Sequence, residues 1–246
     1  MNQTVLLETQ GRICRLTLNR PEVLNALNHE VFTQLEAAIA SIATRAEHIG
    51  CVILSGSGKA FSAGHDLNDI SSGEEAPQAN FEASVLEALA SLPQPVIAQV
   101  HGYCFTGALE LALAADLIFV DSDTKLADTH SKFGLSPIWG MTQRLPRRIG
   151  VARTKEMMFS GRLVAADEAL RIGLVDKVMP AGTLAEKVTE YAHTVAENSP
   201  HTHQICKTIM QDTDGFYLRE GLDHEYANSP GVSIDMPERI ARFQKK

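Results

Sequence analysis

The chain has 246 residues and a formal net charge of −8 at pH 7. That length supports one large α/β domain or two small ones, with a core that needs no disulfide or metal staple. The acidic balance argues against broad nucleic-acid binding, which requires an excess of Lys and Arg to displace counterions, so an anionic ligand has to be held by local groups.

The opening reads as a β-hairpin, with alternating stretches at Val5 to Thr9 and Arg12 to Leu18 separated by Gln10-Gly11. It lacks the basic flank and apolar stretch of a signal peptide. No run approaches the ~18 apolar residues of a membrane span, so a cytoplasmic protein with no membrane partner is expected. Asn19-Arg20-Pro21 ends the hairpin. From about His29 to Ala46, residues Val31, Phe32, Leu35, Ala38, Ile39 and Ile42 recur at helical spacing. A short buried strand at Cys51 to Leu54 follows, then a loop rich in Gly and Ser from Ser55 to Leu67. A polar stretch near Ser71 to Gln78 precedes a helix ending ahead of Leu92-Pro93. Next come a strand at Pro95 to His101, a helix around Gly107 to Ala115 and a strand at Leu117 to Val120. This alternation indicates an α/β fold. After about Val151 helical signals dominate, at Arg153 to Phe159, Ala166 to Arg171 and Leu184 to Ala196, with Val175 to Val178 the one clear strand. Ser199-Pro200 marks a hinge before a C-terminal helical portion. The four cysteines, Cys14, Cys51, Cys104 and Cys206, show no CxxC spacing and have mostly apolar neighbours, so reduced core thiols are expected.

Two loops carry the chemistry. Phe61-Ser62-Ala63-Gly64-His65-Asp66-Leu67 follows a buried strand, with Asp66 placed to cap the next short helix. Alone it reads as an ordinary strand-to-helix connection. The segment His101 to Leu111 repeats that character, and small residues at its helix start leave backbone N–H groups open to negative charge. Glu110 is the lone charge in the run Gly107 to Ala115, which should be buried nearly all round. Buried carboxylates need partners, so a capping or salt-bridge role is the structural alternative. A functional role is preferred because Gly107 and Glu110 stand at i and i+3 on one helix face, with side chains leaning toward the N-terminus. A general base beside an oxyanion site suits moving a proton next to a carbonyl.

Asn19-Arg20-Pro21 with Asn25-Ala26-Leu27, then Phe61 to Leu67, then Gly107-Ala108-Leu109-Glu110, in this order and spacing, resemble the enoyl-CoA hydratase/isomerase (crotonase) family over essentially the whole chain. Thr142-Gln143-Arg144-Leu145, Phe159-Ser160-Gly161 through Ala165, Glu168-Ala169 and Gly173-Leu174-Val175 are also similar to its pattern. The resemblance implies an α/β, crotonase-like spiral of ββα units with a C-terminal helical portion. Residues 1–198 would form the core with an acyl-CoA site, and residues 199–246 would be used in oligomerisation, as a homotrimer or dimer of trimers. It implies an acyl-CoA thioester substrate, with coenzyme A belonging to the substrate and no metal or redox cofactor. By position, the Ala63 and Gly107 N–H groups form the oxyanion hole. Backbone around Leu24 to Ala26 and at Ala63, Gly64, His65, Asp66 and Leu67 cradles coenzyme A. Lys59, Arg239, Arg242, Lys245 and Lys246 are candidate phosphate partners, with solvated surface charge as the alternative.

The chain also departs from that pattern. Where hydratases of the family carry a second catalytic glutamate, ahead of a Gly-x-x-Pro-Gly stretch, this sequence has His130, and Ile138 follows the proline. A histidine can donate or accept near neutral pH, so His130 is expected either to assist proton transfer or to line the site through hydrogen bonds. Asp128 is the candidate to orient it. Ala63-Gly64-His65-Asp66 is also similar to the methylmalonyl-CoA decarboxylase branch, although His65 as a lining residue of the coenzyme A channel is preferred. His201-Thr202-His203 lacks a Cys or acidic cluster to complete a metal site. Trp139 and Phe133 are candidate walls of an apolar acyl pocket, with core packing the alternative. The leading expectation is hydration of a 2-enoyl-CoA with Glu110 as base. Isomerisation, decarboxylation or thioester hydrolysis are the enzymatic alternatives. A non-catalytic acyl-CoA binder has no need of a buried Glu110, and a nicotinamide dehydrogenase lacks its GxGxxG after the first strand.

Overall fold

The alternating N-terminal residues form β1 (Val5–Gln10) and β2 (Ile13–Leu18), an antiparallel hairpin with Val5 opposite Leu18 and Gln10 opposite Ile13. They belong to a computed structural model that describes residues 3–72 and 79–244. Most of the polar stretch near Ser71 to Gln78, and the candidate cations Lys245 and Lys246, lie outside the described residues. A 3₁₀ turn at Pro21–Val23 leads into α1 (His29–Ala43), whose first turn is capped by the Asn28 side chain accepting the Val31 N–H. The six apolar residues at helical spacing are all buried, and the helix stops at Ala43, ahead of the expected Ala46.

In chain order there follow β3 (Cys51–Gly56), α2 (Leu67–Ser72), α3 (Phe81–Ala90), β4 (Val96–Val100), β5 (Tyr103–Phe105), α4 (Gly107–Leu113), β6 (Leu117–Asp121), β7 (Lys125–Ala127), α5 (His130–Phe133), α6 (Met141–Ile149), α7 (Val151–Ser160), β8 (Val164–Ala165), α8 (Ala166–Arg171), β9 (Lys177–Met179) and α9 (Leu184–Glu197). A six-stranded sheet runs in the order β1-β2-β3-β4-β6-β9, parallel from β2 onward, and a three-stranded sheet runs β5-β7-β8. The chain therefore visits the large sheet, the small sheet and a helix in turn, which is a mixed α/β fold. The last strand begins two residues after the expected Val175, because the Leu174 and Val175 N–H groups both reach the Ala169 carbonyl and finish α8 instead. The strand β8 gave no signal, since two residues are too few to show a period of two.

Both faces of the large sheet are covered, which is why its central strands read as nearly continuous apolar runs. Ile13, Cys51, Ile53, Ile97 and Phe119 pack against Leu184, Val188, Ala192 and Ala196 of α9. The intervening residues, among them Leu16, Val52, Leu54, Ala98 and Val120, face the larger core with α1, α3 and α4. Cys14, Cys51 and Cys104 are buried, and burial raises their thiols, Cys51 to about 12. Cys206 is exposed, contrary to expectation, because its helix turns the neighbouring Lys207 toward the sheet.

That helix, α10 (Pro200–Asp212), is capped by Ser199, and α11 (Leu218–Asn228) and α12 (Met236–Gln244) complete the C-terminal portion. It docks through Lys207 Nζ, which lies 2.7 Å from Asp116 Oδ2 and 3.1 Å from the Gln94 carbonyl. Neither α11 nor α12 buries a residue. Among the described residues no helix is long and apolar enough to cross a membrane. Because Lys207 is buried and Asp116 only partly so, Lys207→Met should cost about 1–3 kcal/mol in urea unfolding, by leaving Asp116 without its countercharge. An unchanged midpoint would mean that this pair does not anchor α10.

Candidate functional site

The site is assembled where the chain leaves the C-terminal ends of β3 and β4. The loop after β3 runs parallel to β5: the Ser62 N–H donates to the Tyr103 carbonyl (3.1 Å) and the Phe105 N–H to the Ser62 carbonyl (3.4 Å). On its other side the same loop pairs with residues 24–27. The Ala63 N–H donates to the Leu24 carbonyl (2.9 Å), the Leu27 N–H to the Gly64 carbonyl (2.8 Å) and the Asp66 N–H to the Leu27 carbonyl (2.9 Å). The three motif segments, distant in sequence, thus lie side by side. Leu24 and Asn25 adopt left-handed backbone, at φ 52° and 54°, a strained conformation that needs outside support. Asn25 supplies it, donating to the Ser57 and Ala60 carbonyls and accepting the Arg20 N–H. Arg20 Nη1 in turn bridges the Ala26 carbonyl and Asp66 Oδ2, while Asp66 Oδ1 accepts the Asn68 N–H, the expected cap of α2.

This pairing corrects one expectation. The Ala63 N–H is engaged by Leu24 and is not available to an oxyanion. The open donors are the His65 and Gly107 N–H groups, neither of which reaches an acceptor among the described residues. The two strands of loop approach closely: a Cβ on Gly64 would lie 3.5 Å from Gly107 N. Both donors line a cavity of about 250 Å³, with Glu110, His130 and Trp139 on the same wall.

Glu110, 1% exposed, is held from one side only. Its Oε1 accepts the Trp139 N–H (3.0 Å) and the Met141 N–H (2.9 Å). Its Oε2 faces His130 Nε2 at 3.7 Å. Burial pushes the Glu110 carboxyl above the ordinary carboxylate range, and the Asp128 charge adds to that, while the Met141 N–H, His130 and the Trp139 N–H pull the other way. His130 opens α5, and Asp128 Oδ1 accepts from both its backbone N–H (3.1 Å) and its ring Nδ1 (2.5 Å). The expected orienting contact is therefore present, made around the start of a helix rather than along an extended segment. Asp128 Oδ2, also buried, has no hydrogen-bond partner among the described residues. Thr106 and Thr129 hydroxyls 2.5 Å apart tie the residue before α4 to the residue before α5, so the elements carrying Glu110 and His130 are fastened together.

A clamp that sequence reasoning missed sits behind Glu110. Arg144 Nη1 donates to the Trp139 carbonyl (2.8 Å) and Nη2 pairs with Glu87 (2.6 Å), so the guanidinium fixes the 139–141 turn whose two N–H groups hold the carboxylate. Gly140 is required there: φ is +112°, and a Cβ would lie 2.3 Å from Arg144 Nη1. Nothing in the linear pattern reveals that an arginine on α6 reaches back to the turn before it.

Other candidates fall elsewhere. Trp139 is buried on the cavity wall, but Phe133 is 56% exposed and lines none of it, because it ends the single turn of α5 on the outer side. His65 lines the cavity 3.6 Å from Asp69, and burial lowers its imidazole below the ordinary value, against the pull of Asp69. Leu67 begins α2 and is exposed. Lys59 is exposed and stands apart from the cavity lining. Arg239 and Arg242 pair with Asp235 and Glu238 and group with Arg12 and Ser199, near the N-terminal ends of the strands, so within one chain they are not brought to the site. His201 donates to the Gly231 carbonyl.

Residues 8–229 match the profile of the enoyl-CoA hydratase/isomerase family. The chain belongs to that family. Among relatives of this enoyl-CoA hydratase/isomerase family member, a short-chain-enoyl-CoA hydratase of Clostridium acetobutylicum is 34% identical over 210 residues, covering 84% of this chain and 80% of its own. A protein of Rhizobium meliloti named as a probable enoyl-CoA hydratase is 35% identical over 249 residues, covering 99% of this chain and 96% of its own. The crystal structure of enoyl-CoA hydratase from Bacillus anthracis superposes with a TM-score of 0.91 at 33% identity, covering 99% of this chain and 96% of that one.

The raised carboxyl of Glu110 has a consequence for stability in this family member. Below the ordinary glutamate value, about 4.3, the group is protonated folded or unfolded and costs nothing; stability is lost as pH rises through its higher folded value. Glu110→Gln should therefore unfold at higher urea than wild type at neutral pH, with the gap closing as pH falls toward 4. A gap that widens on acidification would show that the folded protein favours the carboxylate.

Proposed function

We propose that this protein is an enoyl-CoA hydratase that adds water across the double bond of a 2-enoyl-CoA thioester. The observation that carries the reading is Glu110 Oε2 facing His130 Nε2 at 3.7 Å on one cavity wall, beside the open His65 and Gly107 N–H groups. A gap of that size lets one water oxygen reach both atoms. The names of the relatives support the same reaction.

In this mechanism the thioester oxygen sits between the His65 and Gly107 N–H groups, the latter at the start of α4, where unpaired N–H groups and the helix dipole favour negative charge. Glu110 Oε2 takes a proton from the water as its oxygen bonds to C3. The electron pair of the double bond moves toward the thioester oxygen, and the two donors hold the enolate. His130, its Nδ1–H fixed on Asp128, delivers a proton from Nε2 to C2 as the enolate collapses. Glu110 then holds one extra proton and His130 lacks one, and transfer from Oε2 to Nε2 restores both. Coenzyme A enters and leaves with the substrate, against the backbone of Leu24 to Ala26 and Gly64 to Leu67, with no metal or redox cofactor. We further propose a homotrimer or dimer of trimers in the cytoplasm, in which exposed apolar residues of the C-terminal helices, such as Leu218, Tyr226 and Phe243, are covered by neighbouring subunits.

The test is loss of the enoyl-thioester absorbance on mixing with crotonyl-CoA. Wild type should turn over, and Glu110→Gln and His130→Ala should each lower kcat by about 10²–10⁴-fold. Wild-type rates in His130→Ala would leave Glu110 as the single acid-base group of the hydration and remove the proton-delivering role assigned to His130. An inert wild type would sink the hydratase reading and direct the search to 3-enoyl, malonyl-type and hydrolysable thioesters, or to binding alone.

A further inference from the structure

We infer that the Trp139 indole is the residue that sets acyl-chain length, closing the site to all but short acyl-CoA thioesters; the inference rests on the acyl-CoA reading above but not on hydration. Trp139 is 4% exposed and held on several sides. Its N–H is on Glu110 and its carbonyl under Arg144. Its ring lies 4.8 Å, centroid to centroid, from both Phe32 and His65. It also lies so close over Gly107 that a Cβ there would meet ring carbon Cζ3 at 2.3 Å. The indole thus fills the space beside both open N–H donors and next to the base, where carbons beyond C3 of an acyl group would otherwise extend.

The indole is there for its bulk. Its Nε1–H is buried with no hydrogen-bond partner among the described residues, so no polar contact accounts for its placement. The cavity beside the indole measures about 250 Å³. The rest of the lining offers a longer tail little to bury against: it includes Asp69 and Glu82, with Leu135 and Ile138 the remaining large apolar residues. An aliphatic tail there would displace water from two carboxylates and gain less than a methylene normally does.

The experiment is calorimetric titration with butyryl-, hexanoyl-, octanoyl- and decanoyl-CoA, which need no turnover, on wild type, Trp139→Ala and the milder Trp139→Leu. Wild-type affinity should level off or fall beyond hexanoyl-CoA. In the variants it should climb by up to about fourfold per added methylene, the gain expected when each is buried. A steady climb in wild type, or a flat series in variants that remain folded, would overturn the inference, and Trp139→Leu keeps the comparison available should Trp139→Ala fail to fold. Length-limited binding without hydration would remove the proposed reaction and leave this inference standing; failure to bind any acyl-CoA would remove both.

Discussion

Burying the carboxylate of Glu110 inside α4, a helix whose every residue is buried, is the constraint around which the rest of the site is arranged. An ionised carboxylate taken from water costs several kcal/mol unless hydrogen bonds replace its hydration. Here the replacement is divided. One oxygen is fully committed to the Trp139 and Met141 N–H groups, and the other is left facing the cavity and His130. That division makes the segment from Trp139 to Met141 a necessary part of the base. It explains why Gly140 must take a left-handed conformation and why Arg144 grips the Trp139 carbonyl from behind.

A second buried carboxylate, Asp128, sets the other half of the arrangement. Together Asp128, His130 and Glu110 form a line with the imidazole in the middle, its Nδ1 on Asp128 Oδ1 and its Nε2 3.7 Å from Glu110 Oε2. The two carboxylates act against each other, since the Asp128 charge adds to the upward push on the Glu110 carboxyl, while His130 between them pulls it down. This geometry gives the His130 imidazole its own dedicated carboxylate, Asp128. The hydroxyl contact between Thr106 and Thr129 keeps this pair in register with the helix that carries Glu110.

What could be read along the chain, and what could not, separates by the range of the interaction involved. The hairpin, α1 and the central strands follow from periodicity, because one apolar face repeated at a fixed interval is a local signal. Glu110 stood out for the same reason, as a lone charge where the pattern demanded none. The donor pair did not follow: the motif pointed to Ala63, whereas the pairing of its loop with Leu24 takes that N–H and leaves the one at His65 open. Backbone hydrogen bonds are decided by which loops lie side by side, and a one- or two-residue shift in register changes which N–H is spare while leaving the residue types unaltered. Phe133 and Cys206 failed in a similar way, since on a helix the residues flanking an apolar position can face opposite directions.

The sequence by itself determined the α/β class, the family resemblance, the isolated charge of Glu110 and the substitution of His130, all carried by residue type and spacing. Only the tertiary structure decided that Asp128 holds His130, that Arg144 secures the turn behind Glu110, that His65 and Gly107 present the open N–H groups, and that Trp139 occupies the space beside them. The first two turn on how the chain folds at the starts of α5 and α6, Asp128 lying two residues from His130 and Arg144 five from Trp139, while the other two depend on contacts between loops distant in sequence that pack beside the sheets.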